Sequence, residues 1–466
     1  MPLVNDVPSR LNPTRVARLA RPRSPAEVAG EVQAACRRGE AVAVCGARHA
    51  MGGQQFASGA VLLDLTGLRR VRSLDRERGW ITAEAGVTWP DLIAAYLRRQ
   101  GGARRALWGI AQKQTGADRL TLGGAVAANV HGRGLALAPF VGDVEALELV
   151  DPRGEIVRCS RRERPELFRQ VVGGYGLFGV VTTVVLRLSE RRKLERVVEM
   201  RCAGGLVEAC EERIAAGFLY GDFQFAIDAR GDDFLRRGVF ACYRPVDPST
   251  PIPAGQRQLS SRDWRELVGL AHTDKRRAFA LYAEHYLASA GQVYWSDLQQ
   301  LGPYLDGYHA ALDRRRGAPS SEMISELYVP RPALSGFLED AARELRARRA
   351  DLIYGTVRLI EEDAETALPW ARGRWACVIF NLHTEHTAAA LEATAEAFRA
   401  LIDLARARGG SYYLTYHRWA RADQVAACHP GILDFLRRKR AWDPEERFSS
   451  DWYRHHRALL AGEAAA

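Results

Sequence analysis

The stretch TLGGAVAANVHGRG, residues 121–134, consists almost entirely of small side chains, and CGARHAMGG, residues 45–53, has the same character earlier in the chain. A diphosphate needs several backbone N–H groups converging on it, which requires residues that let the chain turn sharply and approach closely. Residues 46–50 and 123–129 both supply that. Neither loop has the GxGxxG spacing that joins one strand to one helix with an acidic residue about twenty positions on, and the Walker pattern is absent. A single glycine cluster marks a structural turn as readily as a ligand loop. Two such loops, each embedded among strand and helix signals, direct the reading.

Upstream, Ser24, Pro25 and Glu27 form a capping-box signature, and Val28, Val32 and Ala35 recur at helical spacing. A helix therefore precedes a strand over residues 41–45 that runs into the first loop. Further strands are expected at 61–65 and 80–84, then a helix over 89–99 begun by Thr88 and Pro90 and stopped by Gly101 and Gly102. Beyond the second loop, residues 144–150 and 155–159 read as a hairpin around DPRG at 151–154. Residues 165–171 read as a short helix, and the glycines of 173–179 lead into a long strand over 180–188. From about residue 196 to 410 the character changes: longer amphipathic helices at 263–288, 333–348 and 387–408 alternate with short strands at 326–329, 354–359 and 377–382. The last part, 411–456, reads as a strand, a helix and a tail rich in Tyr, Trp and Arg.

A chain of 466 residues exceeds what one compact core usually supports, so two domains or one domain with a large insertion are expected. The composition is that of an ordinary globular protein, 47% hydrophobic and 26% charged. The formal charge is +10, yet basic runs such as Arg437-Arg438-Lys439-Arg440 sit among acidic neighbours without a nucleic-acid module, so no nucleic-acid partner is expected. The eight cysteines show no CxxC pair or zinc spacing, which points to reduced thiols, no metal and a cytoplasmic location. The N-terminus does not read as a secretion signal, and no apolar run reaches membrane-spanning length.

Taken in order, the segments resemble the FAD-binding domain of the vanillyl-alcohol oxidase family, also called the p-cresol methylhydroxylase type. The carriers are the two loops, GDVEALELVDPRGEIVRCS at 142–160, and PELFRQVVGGYGLFGVVTTVVLRL at 165–188. Residues 412–452 look like the C-terminal return of the sugar-oxidising branch that includes alditol oxidase and decaprenylphosphoryl-ribose oxidase. The resemblance implies an α+β fold with a two-subdomain FAD-binding domain over 14–195. An α+β cap with an antiparallel sheet would follow over 196–410, and a segment over 411–466 would return to the FAD domain and the edge of the active site. It implies FAD held by Gly46, Ala47, Arg48, His49, Ala50 and Met51 at the first loop. Gly123, Gly124, Asn129 and His131 would serve at the second, and Gly179 and Val181 at the third. His49 stands where some relatives bond flavin covalently and others do not, so both forms of FAD remain open.

Oxidising an alcohol at a flavin requires a C–H bond held over the ring and a group that takes or stabilises the hydroxyl proton. His131 follows the second loop and resembles a substrate-facing histidine of that branch. On extended strands Tyr354, Thr356 and Arg358 share one face, as do Asn381 and His383. Arg358 and Asn381 resemble polar cap positions of the branch, and Glu326 sits where a Gln occurs in part of it. On the C-terminal strand, sugar-oxidising relatives carry a lysine where this chain has Tyr416, beside Tyr413, Thr415, His417 and Arg418. These residues imply an FAD-dependent alcohol oxidase or dehydrogenase acting on the CH–OH group of a small sugar-, polyol- or nucleoside-like substrate. Dioxygen or another molecule would be the electron acceptor, and Val130 tilts the reading toward a poor oxidase. The alternatives are a flavin-dependent reductase of a C=C bond and a flavin- or anion-binding protein without turnover.

Overall fold

The computed structural model describes residues 1–302, 305 and 307–461; the end of the 411–466 segment lies outside the described residues. The N-terminal part folds as two small sheets. Arg18–Ala20, Val61–Asp64 and Val42–Cys45 form a three-stranded parallel sheet, with Val61–Asp64 in the middle. The helix Pro25–Arg38 covers it, started by Ser24, whose side chain accepts from the Glu27 amide, and stopped by Gly39 in the left-handed region. Its buried face, Val28, Val32 and Ala35, packs on Val42, Val61 and Leu63.

The second sheet is five-stranded and antiparallel, ordered Ile156–Ser160, Val144–Val150, Val180–Arg187, Trp80–Glu84 and Val71–Asp75. The hairpin turns at Asp151, whose carboxylate accepts from the amides of Arg153 and Glu155. The helix Trp89–Arg99 buries Trp89, Leu92, Ile93 and Tyr96 against this unit. This is the two-subdomain, α+β arrangement expected.

An eight-stranded sheet, antiparallel throughout, makes up most of the rest. Its order is Val293–Trp295, Lys193–Cys202, Arg237–Pro245, Tyr220–Phe225, Leu352–Ile360, Trp375–Glu385, Ser320–Pro330 and Ser411–Tyr412. Its register fixes two faces. Glu326 pairs with Ile379, Ile324 with Asn381 and Asn381 with Tyr354, so these side chains share one face. The opposite face carries Val357, Val378, Phe380 and Leu327 and is sealed by the helices Leu334–Ala347 and Ala388–Arg406 through Phe337, Phe398 and Leu401.

Three expectations change. The helix over 263–288 is two, Ser261–Thr273 and Lys275–Ala288, because Asp274 leaves helical geometry and its side chain caps the second by accepting from the Arg277 amide. The strands Lys193–Cys202, Tyr220–Phe225 and Arg237–Pro245, which the sequence did not distinguish, supply nearly half of the large sheet. The C-terminal strand stops at Tyr412; residues 413–421 run irregularly, and three helices follow, Ala422–Cys428, Ile432–Trp442 and Asp451–Leu459. The last two dock on the N-terminal unit, with Phe435 against Phe178, Trp452 stacked on Tyr175 at 4.6 Å and the Arg447 carbonyl accepting from the Val42 amide. No helix among the described residues is long and apolar enough to cross a membrane.

Candidate active site

The first glycine loop leaves the strand Val42–Cys45 and turns at Arg48, whose φ of 58° is left-handed. The second is not a loop but the start of a helix, Leu122–Ala128. Thr121 caps it, accepting from the Gly124 amide, and Asn129 ends it at a φ of 47°. The two meet directly: a Cβ on Gly46 would lie 2.2 Å from Thr121 Oγ1, so only glycine permits the approach. Among the described residues, the amides of Gly46, Ala47, Arg48 and Ala50 donate to no protein acceptor. Glycine-lined, unsatisfied backbone donors beside a capped helix N-terminus fit the diphosphate of a dinucleotide.

A cavity of about 460 Å³ runs between these loops and the large sheet. Residues 46–51, Gly123, Gly124, His131, Gly179 and Val181 all line it. Asn129 does not. Its amide nitrogen donates to Asp363 at 2.9 Å, its oxygen accepts from the Val141 amide and its carbonyl from Trp370 Nε1, so it locks the helix end to the cap. Gly179, at a φ of 153° and packed on Leu149, sets the close approach of the third segment. His49 is mostly buried; burial, and then Arg119, hold its imidazole below the usual histidine range, while a hydrogen bond to the Ala47 backbone works in the opposite direction.

The opposite wall is built from side chains. Glu326, Arg358, Asn381, Tyr354 and Tyr416 line the cavity. Glu326 is 3% exposed and gathers four donors: His131 Nε2 at 2.7 Å, Tyr328 Oη at 3.0 Å and Cys377 Sγ at 3.7 Å to Oε2, and Tyr416 Oη at 2.6 Å to Oε1. Burial alone would raise its carboxyl, but His131, the Tyr416 hydrogen bond and Arg358 outweigh burial and hold it at about 2. Burial and the Glu326 charge keep the Tyr416 phenol protonated far above the usual tyrosine range. With its proton turned to Glu326, Tyr416 offers its oxygen lone pairs to whatever enters. Arg358 is 6% exposed, has no carboxylate within 4.0 Å among the described residues, and leaves its Nε without a partner. The Asn381 carbonyl oxygen is buried and likewise without one.

The remaining candidates lie elsewhere. His417 is not on the cavity: its ring stacks on Phe398 at 4.9 Å and on Trp419, and Nε2 reaches Ser325 Oγ at 3.2 Å. Because residue 417 follows an irregular stretch rather than a strand, its side chain turns into the apolar face behind the sheet. Thr356 shares the face of Arg358 but its hydroxyl donates to the Phe223 carbonyl, and His383 lies further along the sheet. Sequence reasoning missed Tyr328, which donates to Glu326, and Gly176 and Gln114, which line the cavity. It also missed Tyr413 as an anchor that donates to the Ala128 carbonyl at 2.6 Å. Only the glycine of 173–179 gave a local signal for any of them.

Residues 16–160 match the family model described as FAD binding domain. An uncharacterized oxidoreductase of Rhodococcoides fascians is 31% identical over 46% of this chain and 47% of its own length. Cytokinin dehydrogenase 2 of Arabidopsis thaliana is 28% identical over 47% and 40%, and L-gulono-1,4-lactone dehydrogenase of Mycobacterium tuberculosis is 27% identical over 52% of each. The chain thus spans about half the length of these relatives. Residues 16–160 are an FAD binding domain of the p-cresol methylhydroxylase type, and the relatives of this chain lie among FAD-binding oxidoreductases.

Proposed function

We propose that the protein is an FAD-dependent oxidoreductase that oxidises the CH–OH group of a small polar substrate, with the large sheet as the substrate wall. The observation that carries this reading is the buried Glu326 carboxylate with Tyr416 and His131 bonded to it, set across one cavity from the glycine loops. FAD, when bound, supplies the hydride acceptor. Tyr416, its own proton held by Glu326 Oε1 over a 2.6 Å hydrogen bond, accepts from the substrate hydroxyl on its oxygen and so orients the C–H bond toward the flavin. His131, hydrogen-bonded through Nε2 at 2.7 Å, fixes the orientation of the carboxylate. Arg358 and Asn381 present a donor and an acceptor that a vicinal diol or hydroxy-lactone satisfies together, and this orients the reacting carbon. The gulonolactone and cytokinin dehydrogenases among the relatives are named for different substrates.

Anaerobic mixing tests the reading. Alditols and aldonolactones should bleach the flavin absorbance, and NADPH should not. Bleaching by NADPH alone would assign the chain to C=C reduction instead. His49, kept neutral by burial and therefore in the nucleophilic form, is the residue that would carry a covalent flavin. Yellow colour retained in an acid precipitate shows that link, and colour left in solution shows a dissociable cofactor.

A further inference from the structure

The cavity-facing side of the large sheet carries a second, half-buried polar cluster, one ladder step beyond the Ile324 and Asn381 pair. There Glu322 pairs with His383, and the His383 amide donates to the Asp351 carbonyl. His272, near the end of the helix Ser261–Thr273, leans over them with its ring edge-to-face on His383 at 4.8 Å. One ligand atom each from His272, Asp351 and His383 lie within 4.8 Å of one another.

The hydrogen bonding at this cluster is incomplete. His383 is 8% exposed, and among the described residues neither of its ring nitrogens has a partner. The His272 side chain is 1% exposed; Nε2 meets Glu322 Oε1 at 3.0 Å and Tyr308 Oη at 2.7 Å, but Nδ1 has no partner among the described residues. A buried polar atom left without a partner is unfavourable, so three of them converging beside a carboxylate call for a ligand that accepts lone pairs.

We infer that His272, Asp351 and His383 bind a divalent transition-metal ion of the zinc class. Two imidazoles and one carboxylate are the donor set such ions prefer. Glu322 supplies the supporting contact these sites usually have: by accepting from His272 Nε2 it commits Nδ1 to the ion. Lys275 Nζ holds Asp351 Oδ1 at 2.8 Å, which leaves Oδ2 for the ion. Ligand atoms around a tetrahedral zinc stand about 3.4 Å apart, so binding draws the rings together by about an ångström. The ion would fasten the helix Ser261–Thr273 to the sheet at the end of the face that lines the cavity, and this holds whatever the flavin substrate is.

Equilibrium dialysis of the full-length, flavin-containing protein against Zn²⁺ after chelator treatment, with metal counted by mass spectrometry, tests the site. Wild type should take up one zinc per chain. His272→Gln combined with His383→Gln should bind at least tenfold more weakly, and Glu322→Gln about 10–100-fold more weakly. His131→Gln, in the flavin cavity, should bind as wild type. The flavin spectrum of each variant reports folding, and a zinc-induced rise in melting temperature should be present in wild type and absent in the double variant. Substoichiometric uptake by wild type, unchanged uptake by the double variant, or loss in His131→Gln would overturn the assignment.

Discussion

The two walls of the cavity are made of different material. The cofactor wall is backbone: small residues at 46–50 and 123–124, left-handed turns and a helix N-terminus, with Gly46 fitted against Thr121. The sheet wall is side chains: one carboxylate, one guanidinium, three phenols and an amide, drawn from three strands and the irregular segment after Tyr412. A diphosphate and a flavin are fixed ligands, for which backbone geometry suffices. A variable substrate is read by charges and hydroxyls, which change without disturbing the fold.

Removing the central charge of the sheet wall should have the largest effect. Glu326→Gln keeps the shape but removes the charge and puts an NH2 donor where one of the oxygens accepting from His131, Tyr328 and Tyr416 stood, so turnover should fall by about 10²–10⁴-fold with the flavin spectrum intact. Stopped-flow reduction at saturating substrate measures it, and a loss of flavin instead of turnover would erase the distinction between the walls. On the other wall, Gly46→Ala forces a methyl into Thr121 Oγ1. Flavin content after purification should drop by roughly tenfold or more, as expected when steric strain of about 1–3 kcal/mol falls on a binding loop, while molecules that retain FAD turn over normally. Tyr416→Phe removes one hydrogen bond to a charged group and should lower kcat by about tenfold, the worth of roughly 1.5 kcal/mol, with little change in flavin content.

The difference between the walls also explains what could be read in advance. The helix over Pro25–Arg38, the hairpin around Asp151 and the loop set at 46–51, 123–124 and 179 are local patterns, each fixed by caps, turns or glycines within a few residues. Glu326, Arg358 and Asn381 came from the same reading only through family resemblance, because strand alternation names a face but not what it faces. The long strands at Lys193–Cys202 and Arg237–Pro245 were missed because sheet pairing across distant segments leaves no short-range mark. Asn129 and His417 failed as ligand-facing residues for the same reason: Asp363 claims the first and Phe398 the second, both far away in sequence.

Tyr416 and His417 bring the comparison down to adjacent residues, one on the cavity and one behind the sheet. Burial, and then Arg399, lower the His417 imidazole to about 3, so the ring is neutral in the fold: Nδ1 faces the Trp419 amide and Nε2 faces Ser325 Oγ. The unfolded ring titrates near 6.5. Above that pH neither state binds the proton and the burial is harmless. As pH falls below it, only the unfolded chain takes up the proton, so stability declines by at most about 1.4 kcal/mol per pH unit until the folded value near 3 is reached. His429 and His456, also lowered to about 3 by burial, contribute in the same direction. His417→Asn should therefore leave kcat unchanged and weaken the fold at pH 7, but its denaturation midpoint should fall less steeply than that of wild type between pH 6.5 and 4.5. A matched pH slope would overturn the account of His417 as a ring buried neutral, and a loss of turnover in flavin-loaded protein would place His417 in the chemistry.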